Sequence, residues 1–148
     1  MNKFSLLPRG LLACAVVLTG CEKARLDEEV RRLCAKDGGI KVYETVKLSP
    51  ERFDPYGNVR IPSKKDAKPS DEYFYESETT NLRIGDPAMW RDHDRIIRRS
   101  DGKVLGEFVH YARRGGDIPG PWHESSFGCP DIKNLPNFEN SIFVKEKK

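Results

Sequence analysis

The sequence lacks the features by which several classes of protein are ordinarily identified. Its longest apolar run, residues 11–18, is too short for a membrane-spanning helix, which needs about 20 residues. The glycine patterns of a P-loop and of a dinucleotide site are missing, as is the Gly-x-Ser-x-Gly elbow of serine hydrolases. The sequence therefore carries no enzyme signature, and we expect no cofactor.

An excess of charge of either sign is also missing. The formal net charge is +3, and two of the positive charges, Lys3 and Arg9, lie close to the start of the chain. Without residues 1–20 the formal charge falls to about +1, which gives no basis for a nucleic-acid partner. About 128 residues remain after residue 20, which suits one domain with a modest core. Hydrophobic residues make up 37% of the chain against 33% charged residues, a lean composition that predicts surface segments without regular structure.

The start of the chain has three features in a defined order. Lys3 and Arg9 precede the apolar run of residues 11–18, and this run ends in Leu-Thr-Gly-Cys at Cys21. A positive start followed by a short apolar core is typical of a secretory signal peptide. The segment resembles the lipobox signal peptides of bacterial lipoproteins, in which the cysteine becomes the first residue of the mature chain. An ordinary signal peptide that ends near a cysteine is the alternative.

The resemblance implies cleavage before Cys21 and three acyl chains on this residue, which makes the membrane a partner of the protein. Several acyl chains anchor a protein stably, whereas one chain binds only marginally. In Gram-negative lipoproteins, a residue other than Asp after the cysteine favours the outer membrane, and Glu22 holds that position. We therefore expect a cleaved signal peptide over residues 1–20 and one periplasm-facing domain over residues 21–148.

The chain has only four cysteines, which allows their fates to be assigned by elimination. The resemblance implies that Cys14 leaves with the signal peptide and that Cys21 is modified by lipid, so that Cys34 and Cys129 remain. Two cysteines in an exported domain usually pair, and we predict a disulfide between them. In the chain-entropy model such a bond contributes roughly 4–5 kcal/mol. A metal site or free thiols are the alternatives, but the sequence has no Cys-x-x-Cys spacing to support a metal.

Residues 22–36 are predicted to form a helix. Its apolar residues recur at helical spacing and form one stripe, and the glycine pair that follows ends it. The stripe consists of Leu26, Val30, Leu33 and Cys34. On the solvent-facing side we expect i,i+4 ion pairs of Asp27 with Arg31 and of Glu28 with Arg32.

Strands account for most of the rest of the chain. Residues 40–48 alternate between apolar and polar and predict one strand, whereas four prolines make residues 49–71 a loop over the core. Residues 95–99 and 104–113 flank Ser-Asp-Gly-Lys and predict a β-hairpin whose second strand is central. The expected fold is α+β, with an N-terminal helix packed on an antiparallel sheet of four or five strands and one disulfide.

The most distinctive later stretch reads Arg-Arg-Gly-Gly-Asp-Ile-Pro-Gly-Pro-Trp-His. It suggests a pocket for an anionic or sugar-like ligand, with Arg113 or Arg114 as donors, Trp122 as a stacking surface, His123 as acid or base, and Asp117 beside them. The alternative is structural: the glycines turn the chain, Trp122 fills the core, and Asp117 pairs with an arginine. A second cluster, Asp-His-Asp at positions 92–94, is predicted to be a surface loop rather than a metal site.

These observations lead to two hypotheses on function. We expect a non-enzymatic, lipid-anchored envelope protein that binds or positions another envelope protein. The stretch just described, together with Cys-Ala-Lys-Asp-Gly-Gly-Ile at the end of the helix, is similar to small lipoproteins of Gram-negative bacteria, but this likeness implies no particular activity. The alternative is a small hydrolase or ligand-binding enzyme that uses His123, Asp117 and Arg113.

Overall fold

The computed structural model describes residues 7–118, 120 and 123–147, with side chains from residue 21 onward. The first six residues of the predicted signal peptide and Trp122 lie outside the described residues. The chain forms an α+β fold, as predicted. In order, its elements are α1 Leu7–Asp37, β1 Gly39–Val42, β2 Val46–Leu48, β3 Tyr73–Arg83, β4 Ala88–Arg98, β5 Val104–Arg114, β6 Ser126–Cys129, α2 Phe138–Ile142 and β7 Phe143–Lys145.

The main sheet is antiparallel and has five strands in the order β1-β5-β4-β3, with β6 paired to the second half of β5. The predicted hairpin is confirmed as β4 and β5, although β4 begins earlier than the sequence indicates, at Ala88. Gly102 in its turn has a φ of 69°, a conformation that glycine adopts without a steric penalty. Because β5 is flanked on both edges, it is the central strand that the sequence predicts.

The single strand predicted over residues 40–48 is instead two strands in different sheets. β1 pairs with β5, whereas β2 pairs in parallel with β7 in a separate two-stranded sheet. Between them, the backbone amides of Tyr43 and Glu44 both donate to the carbonyl oxygen of Leu105, at 2.8 and 3.0 Å. Two successive amides directed at one acceptor break the alternation of a strand, so the chain turns out of the main sheet here.

Helix α1 packs on one face of the main sheet, against β5 and β6. The helix ends at Asp37, directly before the glycine pair, as the sequence indicates, but it begins at Leu7, well before the predicted start at residue 22. The predicted disulfide between Cys34 and Cys129 is present, with 5.8 Å between the Cα atoms. We call the cluster beneath the helix the helix-side core; its buried members are Leu26, Val30, Cys34, Met89, Val109 and Tyr111.

The opposite face of the sheet carries a second cluster at the other end of β4 and β5. It is covered by the proline-rich loop, β2, α2 and β7, and we call it the loop-side core. Gly106 permits this layer to approach closely, since a Cβ at this position would lie 2.7 Å from Cδ1 of Ile142. The buried members are Leu48, Val59, Ile61, Ile96, Leu105, Ile142 and Phe143.

Each face of the sheet is therefore covered over only one half of its length. Because side chains alternate along a strand, the uncovered halves present polar side chains to solvent on both faces. Within the described part of the chain, no helix combines the length and the apolar character required to cross a membrane.

Candidate functional site

The glycine-containing turn after β5 is fastened to helix α1 through Arg113. This side chain is 2% exposed. Its Nε and Nη2 atoms donate to the two carboxylate oxygens of Asp27 at 2.7 and 3.2 Å, and Nη1 donates to the carbonyl oxygen of Gly115 at 2.8 Å and to Oγ of Ser125 at 3.0 Å. A bidentate arginine–carboxylate pair of this kind sets the geometry of both groups. The guanidinium group thus joins the helix to the turn.

Asp117 makes the second connection between the turn and the helix. It accepts hydrogen bonds from Nζ of Lys23 at 2.5 Å and from the backbone amide and hydroxyl of Ser125 at 2.5 and 2.9 Å. The ammonium group of Lys23, followed by the Ser125 donors, lowers the pKa of Asp117 to about 2. Ser125 therefore links Arg113 to Asp117. Every acidic and basic side chain of this network already has a partner of opposite charge.

The remaining residues predicted for this site are placed differently. Arg114 points to solvent, where its Nε lies 3.2 Å from Oε2 of Glu124, and His123 is exposed. Trp122 falls outside the described residues. The structure thus brings Arg113 and Asp117 together through Ser125 and keeps Arg114 on the surface.

The sequence interpretation missed the two helix residues that complete this network. Lys23 and Asp27 are spaced i,i+4 and border the apolar stripe, which would have signalled contact with the sheet. The predicted pairing of Asp27 with Arg31 is wrong, because Asp27 binds Arg113. Arg31 instead pairs with Glu28 at 3.1 Å, and Arg32 pairs with Glu29, three residues earlier in each case.

Cys21 has an exposed thiol outside the disulfide. The two residues that follow it are held against the domain: Oε1 of Glu22 lies 2.7 Å from Nη2 of Arg83, and Lys23 binds Asp117. The predicted lipid-attachment point therefore lies at the end of the molecule formed by the β3–β4 turn and by the turn after β5.

A separate polar surface occupies the uncovered half of the sheet face opposite the helix. We call it the polar strip; it consists of Ser77, Thr79, Trp90, Asp92, Asp94 and His110. Asp92 accepts hydrogen bonds from Oγ1 of Thr79 at 2.7 Å and from Nε1 of Trp90 at 2.9 Å, and Ser77 donates to Asp94. Burial lowers the pKa of His110, an effect that the neighbouring carboxylate of Asp92 opposes.

The Asp-His-Asp cluster at positions 92–94 is thus not the surface loop that we predicted. It lies within β4, and the strand alternation sends Asp92 and Asp94 to the polar strip and His93 to the opposite face. There, Nε2 of His93 lies 2.9 Å from Glu107, which also accepts from the Tyr43 hydroxyl at 2.6 Å. The Tyr43 hydrogen bond first, and then those from His93 and Lys41, lower the pKa of Glu107 to about 2.

Among the residues that the structure describes, no three His, Cys, Asp or Glu side chains are arranged to hold a metal ion. Comparison of the chain with protein-family models, with curated proteins and with solved structures gives no match.

Proposed function

We propose that this chain is an envelope lipoprotein: a domain anchored in the outer membrane by acyl chains on Cys21, facing the periplasm, that binds another envelope protein without catalysing a reaction. The observation that carries the proposal is the sequence Leu-Thr-Gly-Cys ending at Cys21, which resembles a lipobox; Cys21 has an exposed thiol outside the Cys34–Cys129 disulfide. The disulfide supports export, because such bonds persist mainly in oxidising compartments. Cys21 is then left available for lipid.

The polar strip and the adjacent edge of β3 support the binding role. β3 is the last strand on its side of the sheet, and its residues from Ser77 to Asn81 are exposed. A strand edge of this kind offers unpaired backbone donors and acceptors to an extended segment of a partner. The carboxylates of Asp92 and Asp94, held by hydrogen bonds on the face beside this edge, favour a segment that carries positive charge or hydrogen-bond donors.

The lipid anchor is tested by the mass of the mature protein. The full-length chain is expressed in a Gram-negative host, and its N-terminal peptide is analysed by mass spectrometry. We expect Cys21 as the first residue with three acyl chains, and Cys21→Ala should abolish both processing and modification. A mature chain that begins elsewhere, or an unmodified Cys21, would refute the anchor.

Membrane fractionation tests the outer-membrane assignment. Glu22→Gln removes the charge that contacts Arg83 but should leave the protein in the outer membrane, whereas Glu22→Asp should shift it to the inner membrane. The Gln variant is the matched control, because it perturbs the same ion pair. Identical distributions of the two variants would contradict the proposed sorting.

The binding role is tested by site-specific photocrosslinking in intact cells. A photoreactive residue at Thr80, on the β3 edge, should capture one discrete partner, whereas the same residue at Tyr56, which is 90% exposed in the proline-rich loop, should not. Asp92→Asn combined with Asp94→Asn should weaken capture at Thr80. Equal capture at both positions, or capture that is insensitive to the Asn substitutions, would contradict the proposed surface.

A catalytic role for His123, Asp117 and Arg113 draws no support from the contacts of these residues. The guanidinium group of Arg113 is buried against Asp27, and Asp117 is engaged by Lys23 and Ser125. A general base or a substrate-binding arginine needs access to the substrate. The contacts favour the structural interpretation of this turn.

A further inference from the structure

The end of the molecule that carries Cys21 also carries exposed apolar side chains. Ile84, in the β3–β4 turn, is 86% exposed, and its neighbour Leu82 is 42% exposed. Ile118, in the turn after β5, is 52% exposed. We call these three residues the apolar tip. Isolated apolar residues are common on protein surfaces, but apolar residues grouped at one end often mark an interaction site.

The β3–β4 turn and the turn after β5, which carry the apolar tip, are joined to each other and to the helix residues that follow Cys21. Oδ1 of Asp86 accepts a hydrogen bond from the amide of Gly116 at 2.6 Å, which links the β3–β4 turn to the turn after β5. Arg83, next to Ile84, binds Glu22, and Asp117, next to Ile118, binds Lys23. Each apolar residue is thus one peptide bond from a residue that contacts the positions immediately after Cys21.

This arrangement leaves almost no free tether between lipid and domain. Acyl chains on Cys21 would hold Glu22 and Lys23 at the bilayer surface, and the two ion pairs would bring both turns to the same depth. Apolar side chains at that depth gain free energy by leaving water for the headgroup–acyl boundary.

We propose that Leu82, Ile84 and Ile118 insert into the lipid bilayer beside the acyl chains of Cys21 and fix the orientation of the domain on the membrane. This inference rests on the proposed lipid anchor. The occupant of the apolar tip is the lipid surface, because the attachment point of the anchor lies at the same end. In this orientation the loop-side core lies away from the membrane. Met89 lies at the end of β4 next to the β3–β4 turn, and Ile96 of the loop-side core lies seven residues further along the strand, roughly 23 Å at about 3.3 Å per residue.

The experiment uses the full lipoprotein, purified from cell membranes and reconstituted into phosphatidylethanolamine–phosphatidylglycerol vesicles. Once Cys21 is acylated and Cys34 is bonded to Cys129, a new cysteine is the only thiol for labelling. An environment-sensitive fluorophore is attached to the cysteine of Ile84→Cys. The matched control carries the fluorophore at Tyr56→Cys, in the proline-rich loop. Both positions are highly exposed, so neither substitution disturbs the core. Nitroxide lipids serve as the membrane quencher and iodide as the aqueous quencher.

We expect nitroxide lipids to quench the label at position 84 several-fold more strongly than the label at position 56, with the reverse order for iodide. Ile84→Cys combined with Arg83→Ala, which releases the turn from Glu22, should reduce the quenching by lipid. Equal lipid quenching at the two positions in a preparation whose mass shows three acyl chains would overturn this inference and leave the anchor intact. A mass without acyl chains would overturn both.

Discussion

The two cores of this domain are built in different ways. The loop-side core is apolar, and Ile142 and Phe143 of the layer that covers it are almost completely buried against the sheet. The helix-side core lies under a single helix and is bordered by a disulfide and by ion pairs. The comparison indicates that the part of α1 after Cys21, which buries Leu26, Val30 and Cys34, is held on the sheet by specific bonds as well as by buried apolar area.

The positions of these bonds along α1 follow from helix geometry. Lys23, Asp27, Val30, Cys34 and Asp37 recur at intervals of three or four residues, and all of them face the sheet. Four of the five make a covalent, ionic or hydrogen bond to the sheet or to the turn after β5, with partners Asp117, Arg113, Cys129 and Tyr111. Reduction of the disulfide and acid should therefore destabilise the helix-side core. Removal of buried side-chain volume should destabilise the loop-side core.

The largest effect is expected from Phe143→Ala. The ring of Phe143 is 1% exposed and packs edge-on against Tyr73, with 5.0 Å between the ring centroids. Removing a buried aromatic ring should lower the free energy of unfolding by about 3–5 kcal/mol. Urea unfolding measures the loss, and Phe143→Leu, which preserves most of the volume, is the control. Equal stability of the Ala and Leu variants would contradict tight packing in the loop-side core.

Removing the disulfide should have the next largest effect. Cys34→Ala with Cys129→Ala should lower the free energy of unfolding by about 2–4 kcal/mol, the range typical of disulfides, which is lower than the chain-entropy value for a sequence separation of 95 residues. Amide hydrogen exchange should rise first in α1 and β6, while β2 and β7 remain protected. A reducing agent should destabilise the wild-type domain but not the variant. Uniform loss of protection would show that the two cores do not open separately.

Arg113→Lys tests the ionic fastening of the helix. Lysine keeps the charge but cannot form the bidentate contact with Asp27 and the bonds to Gly115 and Ser125 together. We expect a loss of about 1–3 kcal/mol in the free energy of unfolding. Arg114→Lys, one residue away on the surface, is the matched control and should change stability by no more than about 0.5 kcal/mol. Similar losses for both variants would contradict the role of Arg113.

Acid should weaken the helix-facing side of the sheet. The pKa of Glu107 is lowered from 4.5 to about 2, so its contribution to stability is fully present above the unfolded-state pKa and is lost as the pH falls towards about 2. Asp117 should behave in the same way between 3.8 and about 2. Unfolding measured from about pH 5 to pH 2 should show a smaller loss for Glu107→Gln than for the wild type. Parallel pH profiles would contradict the lowered pKa.

The smallest effect is expected from His123→Gln. His123 is exposed, so the free energy of unfolding should change by less than about 0.5 kcal/mol. Cells that carry this variant should behave as the wild type if the turn serves only to hold the helix. Lost function with the fold intact, measured by circular dichroism and growth, would return His123 to the list of candidate site residues.

Local patterns allowed the elements of the fold to be predicted where one interaction dominated. The Asp-Gly turn required a hairpin, and the stripe of Leu26, Val30, Leu33 and Cys34 required a helix with one buried face. The strand predicted over residues 40–48 failed because its break depends on a distant acceptor, the carbonyl oxygen of Leu105, which no local pattern reveals. The prediction of a surface loop at positions 92–94 was wrong for a related reason. Polar residues form a strand when the neighbouring strands supply their hydrogen-bond partners.

The amino-acid sequence by itself determined the helix over residues 22–36 and the hairpin, because helical periodicity and turn chemistry each admit few solutions, and it led to the predicted pairing of Cys34 with Cys129. Only the tertiary structure decided that Asp27 binds Arg113, that Asp117 binds Lys23, and that the turn thought to hold a ligand fastens the helix. The physical reason is that charged side chains choose partners by distance in the folded domain. Asp27 and Arg113 are separated by 86 positions in the sequence, and Lys23 and Asp117 by 94. The members of each pair become neighbours only when the helix lies on the sheet.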